Sequence, residues 1–188
     1  MNDAEAANLV KYFYELGQMR LVKRSGWWVA KIRDPESLAE HSFRTAAIAY
    51  VLAKLEKHPA PERVVVGALF HDVHEARLLD KHKISSRYQK TPKALERRVE
   101  KEQCGRLPKA VGGEVFAALA AEDAITKDAD YLDVSLAARE YYDRGYKDAW
   151  DWLARAGKKL RTKSARQLHA KLKKMDSGSW WRGLKEKV

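Results

Sequence analysis

An apolar run that ends in a His-Asp doublet constrains this chain more than any other feature. Val64, Val65, Val66, Ala68, Leu69 and Phe70 lead into His71-Asp72-Val73-His74-Glu75-Ala76. A segment this apolar is stable only when buried. Ionisable side chains at its end are tolerated where buried secondary structure meets a polar cavity. Periodicity alone fits a buried strand as well as a buried helix. The continuation to about Leu79, rich in Ala, Glu, Arg and Leu, and the length of the segment favour a helix. On such a helix His71 and Glu75 lie four residues apart on one face. His71 and Asp72 diverge by about 100° and reach one ion together only near a widening cleft or a helix end.

Helical periodicity recurs along the chain. Residues near 3–23 place Leu9, Val10, Tyr12, Phe13, Leu16, Met19 and Val22 on an amphipathic pattern, which Arg24-Ser25-Gly26-Trp27-Trp28 breaks. Asp34-Pro35-Glu36 is a start signal, with Asp34 as N-cap and Pro35 at the first helical position. The helix beyond it carries Leu38, His41, Ala46, Ile48 and Leu52 and ends at His58-Pro59-Ala60-Pro61, and the next runs from Glu62 to about Leu79. Asp80 to Lys90 is polar and predicts a loop. Thr91-Pro92 opens a helix to Arg106, Pro108 interrupts, and Gly112-Gly113 weakens the next stretch until helical character resumes over Glu114 to Ala121. Further helices are predicted over Thr126 to Asp143, roughly 147–156, and 163–175. Strand signals are scarce and no internal repeat is evident, so the expectation is an all-α bundle.

At 188 residues and 45% hydrophobic content, one domain with a real core is the default. Residues 144–188 hold 14 Lys/Arg against 4 Asp/Glu, while residues 1–143 hold 23 against 22. The division suggests a nearly neutral core over 1–145 and a basic helical extension over 146–188. Such an extension can bind polyanions or steer anionic substrates, and it can equally be a solvated helical face. Cys104 is the single cysteine, which excludes an internal disulfide framework and fits a reducing compartment. The N-terminus lacks the basic start and apolar core of a signal peptide, and no apolar stretch approaches the roughly 20 residues of a membrane span. A cytoplasmic protein without membrane association is the expectation.

The chemistry-bearing residues form a set. His41 lies in Ala39-Glu40-His41-Ser42, and an acidic pair lies in Lys127-Asp128-Ala129-Asp130. Two neutral imidazoles and two carboxylates make a mixed N/O donor set suited to a divalent transition metal. Such a set points to hydrolysis of a phosphate ester by metal-activated water. Against it stands the plain alternative that His71 is a satisfied core histidine and Asp72 a local hydrogen-bonding group.

With these motifs in order, namely Leu21-Val22-Lys23-Arg24-Ser25-Gly26-Trp27, Pro35-Glu36-Ser37-Leu38-Ala39-Glu40-His41-Ser42, His71-Asp72-Val73-His74-Glu75-Ala76 and Lys127-Asp128-Ala129-Asp130, the chain resembles the HD-domain metal-dependent phosphohydrolases, and within them the 5′-deoxynucleotidase branch. The resemblance covers roughly residues 8–145. It implies an HD-type helical bundle in which His41, His71, Asp72 and Asp130 bind one divalent ion (Mn, Co, Ni, Zn, Fe or Mg), with Asp128 as the rival to Asp130. It implies a catalytic Glu75 that assists the attacking water or protonates the leaving group, working beside Asp72. It also implies that Arg24 holds the phosphate, that Trp27 stands near the sugar and that Asp80 contacts a sugar hydroxyl. The chain departs from the bacterial pattern where Ser25-Gly26 separates Arg24 from Trp27. It departs again at Leu79-Asp80-Lys81-His82, where relatives carry Gly-Asp and a proline.

The resemblance implies a small-molecule nucleotide substrate and a homodimer. Three readings result: a nucleoside 5′-monophosphate hydrolase, a hydrolase of another nucleotide or phosphate ester, and, less favoured, a nucleic-acid-binding protein with a vestigial metal site that uses the basic tail. Trp180-Trp181 with Arg182 resembles a base-stacking element, although such a pair equally packs a C-terminus onto its own body or a partner. Cys104, in a charged helix without a motif, is expected to be structural.

Overall fold

The computed structural model describes residues 1–121 and 123–185. Its elements are helices: α1 Asp3–Gln18, α2 Gly26–Val29, α3 Leu38–Leu55, α4 Pro61–Phe70, α5 Glu75–Leu78, α6 Lys83–Tyr88, α7 Lys93–Cys104, α8 Lys109–Ala120, α9 Ala124–Asp143, α10 Ala149–Gly157, α11 Lys163–Leu172 and α12 Ser179–Lys185. Among the described residues the only β pairing is an isolated bridge between Lys23 and Ser37. The all-α expectation holds. No described helix is long and apolar enough to cross a membrane.

The longest helix, α9, is the axis of the bundle. It packs against α3, α4, α10 and α11, while α8 covers α4 and α7 covers α8. Small residues allow the close approach: Ala49 and Ala53 on α3, Ala68 on α4 and Ala129 on α9 are fully buried alongside Leu52, Val64 and Leu132. A second cluster joins α2, α9 and α10 through Trp27, Ala138, Tyr141 and Leu153. A third joins Met19, Leu38 and Val73. Two glycines allow helices to touch. A Cβ on Gly112 would stand 2.2 Å from the Cys104 carbonyl oxygen, and one on Gly157 would stand 2.1 Å from the His169 ring, which hydrogen-bonds the Leu153 carbonyl at 3.0 Å.

Several boundaries differ from expectation, each for a local reason. The N-cap of α3 is Ser37 rather than Asp34. Its hydroxyl accepts from the Glu40 N–H and the Glu40 carboxylate accepts from the Ser37 N–H, which is a complete capping box. Pro61 does not close a helix but opens α4 at its first turn. The helix expected over 62–79 breaks after Phe70. His71 is the C-cap of α4, a turn occupies 71–74, and the short α5 ends where Leu79 adopts a left-handed φ of 63°. His71 and Glu75 therefore do not share one continuous helical face. The stretch 80–90 contains α6, capped by the His82 side chain accepting from the Ser85 N–H. Gly112-Gly113 lies inside α8 without interrupting it. The first helix ends at Gln18, earlier than 23. Trp180 on α12 is 74% exposed and does not pack onto the body, while Trp181 is 36% exposed. Cys104 is buried, and burial together with Glu100 pushes its thiol up to about 11.

Candidate metal and phosphate site

Three helices and one turn bring the donor groups together. The α3 capping box sets the first turn of that helix, and His41, one residue after Glu40, is fully buried there. The end of α4 places His71 and then Asp72 in the turn. Asp130 comes from the middle of α9. His41 Nε2 lies 3.2 Å from His71 Nε2, 3.3 Å from Asp130 Oδ1 and 3.7 Å from Asp72 Oδ2, and His71 Nε2 lies 3.2 Å from Asp72 Oδ2. The ending of the helix at Phe70 lets His71 and Asp72 turn toward one point despite being sequence neighbours.

Hydrogen bonds fix both imidazole tautomers. His41 Nδ1–H donates to Asp133 Oδ2 at 2.5 Å, and His71 Nδ1–H donates to the Ala68 carbonyl at 2.7 Å. Both acceptors present lone pairs only, so each Nδ1 carries a proton and each Nε2 faces the cluster, where it offers a lone pair to a cation once its own proton is displaced. Asp130 Oδ1 is buried there without a hydrogen-bond partner. His41, His71 and Asp72 keep their ligand atoms within 4.8 Å of one another, and Asp130 joins them through His41 Nε2; two ring nitrogens beside two carboxylates call for a cation. Ligand atoms held at about 2.0–2.2 Å from a tetrahedral ion stand about 3.4 Å apart. The observed separations straddle that spacing, so the residues fit a divalent ion. A neighbouring group, Glu36, His41 and Asp133, is also within ligating reach of itself. That group is already satisfied, because Asp133 accepts from His41 Nδ1–H and Arg44 Nε, and Glu36 Oε1 accepts the Trp27 indole N–H at 3.0 Å.

The electrostatics follow the geometry. Arg24 Nη1 donates to Asp72 Oδ2 at 2.9 Å, and its Nη2 stands 3.7 Å from Asp130 Oδ1. Burial opposes the guanidinium charge, but Asp72 and Asp130 outweigh it and hold the group cationic. Burial likewise opposes charge on His41, while the Asp130 and Asp133 carboxylates raise its pKa to about 9. Burial would raise Asp72; His71, Arg24 and His41 prevail and lower it. Glu75 behaves oppositely. Burial, reinforced by the Asp72 and Asp80 charges, raises it well above the usual carboxylate range. Its Oε2 is buried without a hydrogen-bond partner. One carboxylate is thus held ionised and a nearby one is biased towards its protonated form.

Other residues fall into distinct places. Arg24, Trp27, Asp80 and Asp130 line one cavity of about 580 Å³, together with Trp152. Trp27 is 2% exposed, donates its indole N–H to Glu36 Oε1 at 3.0 Å, and packs against Tyr141 and Trp152. Asp80 Oδ2 accepts the Ser25 N–H at 2.5 Å, so its carboxylate shapes the turn that presents Arg24. Asp128 points away from the cluster. Its carboxylate accepts from the backbone N–H of Arg161 and Thr162 and from the Thr162 hydroxyl, at 2.7–3.1 Å, and thereby anchors the start of α11. A smaller cavity of about 310 Å³, reached by His71, His74, Asp130 and Lys127, adjoins the first at Asp130 and Tyr131. Sequence reading missed Asp133 and Arg44. The signal was present, because Asp133 follows Asp130 by three residues on one helix and so lies on the same face.

Comparison with known proteins agrees with this geometry. A family model described as HD domain matches residues 16–173, taking in α10 and α11. The chain is 27% identical over 150 residues to 5′-deoxynucleotidase HDDC2 from Bos taurus, covering 76% of this chain and 72% of that protein. It superposes on a crystal structure from a genomics effort with a TM-score of 0.76 and 33% identity, over 94% of this chain and 99% of the other. A predicted metal-dependent phosphohydrolase from Magnetospirillum magnetotacticum MS-1 shares the fold, with a TM-score of 0.65 and 21% identity over 92% and 91% of the two chains.

Proposed function

The chain belongs to the HD-domain family, and on that footing we propose that it is a metal-dependent phosphohydrolase releasing phosphate from nucleoside and deoxynucleoside 5′-monophosphates. The observation that carries the reading is the gathering of His41 Nε2, His71 Nε2 and Asp72 Oδ2, with Asp130 Oδ1 3.3 Å from His41 Nε2, beside the Arg24 guanidinium. The deoxynucleotidase name of the cattle relative supports the substrate class.

His41, His71, Asp72 and Asp130 would hold one divalent ion. Such an ion supplies Lewis-acid polarisation of phosphoryl oxygens and lowers the pKa of water. Arg24 neutralises phosphate oxygens and strengthens that contact as charge builds in the transition state. Glu75, with its raised pKa, exchanges a proton with the attacking water or the leaving oxygen near neutral pH. Asp80 and Trp27 bound the nucleoside side of the cavity, where a carboxylate oxygen can accept from a sugar hydroxyl. Residues 1–145 carry this chemistry, and the basic segment from 146 onward flanks the cavity through α10.

We further propose a cytoplasmic homodimer, with the exposed Phe13 and Tyr14 of α1 and Phe43 of α3 as the apolar surface available to a second copy. A monomer at micromolar concentration in sedimentation equilibrium refutes the dimer.

The test of function is phosphate release from a panel of nucleoside and deoxynucleoside monophosphates with Mn²⁺, Co²⁺, Ni²⁺, Zn²⁺, Fe²⁺ or Mg²⁺. Turnover of monophosphates with at least one ion is expected. A folded protein that turns over none of them with any ion overturns the reading.

A further inference from the structure

Two lysines at the wall of the large cavity are brought together without an acid between them. Lys83 begins α6 and Lys159 follows α10, and both line the same cavity. The Lys159 Nζ stands 4.9 Å from the centroid of the Tyr131 ring, and Tyr131 directly follows Asp130 on α9. Neither lysine forms a salt bridge among the described residues. Arg155, which acts on Lys83 as well, is engaged by Asp151 at 2.7 Å. Both lysines line the cavity that also contains Arg24 and Trp27.

Two ammonium groups on the wall of one cavity repel, and flexible lysine stems on a surface ordinarily move apart. Here the repulsion is visible in Lys83. Burial, Lys159 and Arg155 together lower the pKa of its amine. An anion placed between the two groups reverses the sign of the interaction. The cavity therefore has two cationic poles of different kind. Arg24 is committed to Asp72 and Asp130 at the donor cluster. The two lysines line the cavity without a salt bridge among the described residues, Lys159 standing over the Tyr131 ring. Between these two uses of charge, Trp27, Val134 and Trp152 provide apolar lining.

We propose that Lys83 and Lys159 form a second anion site in the same cavity, so that among nucleotides whose 5′-phosphate lies at Arg24 the chain favours one carrying a further phosphate group. This rests on the reading of Arg24 as the phosphate ligand. It also gives a role to part of the basic C-terminal segment. A nucleoside 3′,5′-bisphosphate and a nucleoside 5′-diphosphate share the required chemistry, and the arms of the test separate them.

The experiment measures equilibrium binding by calorimetry on the full chain in EDTA, where no turnover interferes. The ligands are a deoxyadenosine 5′-monophosphate, 5′-diphosphate and 3′,5′-bisphosphate. One of the two doubly phosphorylated ligands is expected to bind about 10- to 100-fold tighter than the monophosphate, the gain of one or two charge-assisted contacts. In K83A/K159A that ratio falls towards one. A K171A/K174A control, which removes two tail charges away from the cavity, keeps it. A wild-type ratio near one, or a ratio reduced equally by both double variants, overturns the proposal, because the lysines would then act only as part of a general positive field. Failure of the hydrolytic reading shows up separately, as absent phosphate release from every ligand with every ion.

Discussion

Replacing Asp133 with asparagine isolates the contribution of a residue that touches no ligand. The fully buried Asp133 carboxylate accepts His41 Nδ1–H at 2.5 Å and also receives Arg44 Nε. An asparagine carbonyl keeps an acceptor for His41 but removes the negative charge. Hydrogen bonds to charged groups contribute about 1.5–3 kcal/mol against about 0.5–1.5 for neutral ones, so the exchange costs about 1–1.5 kcal/mol at His41. At about 1.4 kcal/mol per factor of ten, metal affinity should fall by about tenfold, the lower end of the 10–100-fold typical for outer partners of ligating histidines. Arg44 keeps Glu140 at 2.8 Å and Glu36 at 3.6 Å, so its charge is not stranded and the variant should fold. D133A should cost more, because the buried Nδ1–H then has only the Thr45 hydroxyl, 3.5 Å away, as a substitute partner. The assay is competition for zinc against a chromogenic chelator, with circular dichroism as the check on folding. Nitrogen chemical shifts of the His41 ring report the tautomer. A D133N protein that is folded, has an unchanged tautomer and binds zinc within twofold of wild type refutes the claim that Asp133 positions His41.

The remaining predictions concern the site and the packing that builds it. His71→Ala should abolish metal retention measured by elemental analysis, whereas Glu75→Gln should retain the ion and lose about 10²–10⁴-fold in kcat, the usual worth of a general acid–base group; equal metal loss in both would merge the two roles. Arg24→Ala should lower kcat/KM for phosphate release, and should lower kcat itself if the guanidinium contact tightens in the transition state; an unchanged kcat/KM removes Arg24 from the site. Gly112→Ala forces a Cβ to within 2.2 Å of the Cys104 carbonyl oxygen, a backbone atom that moves only with α7. Overpacking of this kind costs about 1–3 kcal/mol, which should lower Tm by several degrees in a thermal melt; an unchanged Tm shows that the α7–α8 contact relaxes freely.

How much of this was legible in the sequence depends on which physical signal each residue leaves. His41, His71 and Asp72 stand out because an ionisable side chain at the edge of an apolar segment is costly unless it is used. The choice between Asp128 and Asp130 was not legible. Both sit on α9, and only the tertiary partner separates them: the backbone of 161–162 takes Asp128, while His41 faces Asp130. Asp133 shares a helix face with Asp130, but its role was open for a related reason. A buried acid that serves another side chain looks like any other acid until the helix carrying it is known to face α3. Apolar periodicity read the helices well, and it failed where the backbone decides. It ran α4 and α5 together, because the hydrophobic run does not register that the turn at 71–74 must leave the helix for His71 and Asp72 to converge. It missed α6, a six-residue helix with a single aliphatic side chain, Ile84, and no buried residue. It preferred Asp34-Pro35 over Ser37–Glu40 as the start of α3, although the Ser-x-x-Glu signature was present in the chain. That last error bears on function, because the capping box fixes the α3 turn from which His41 reaches the donor cluster. Local backbone chemistry at the ends of helices, more than the apolar stripes that drive their packing, therefore determines whether the four donor atoms meet.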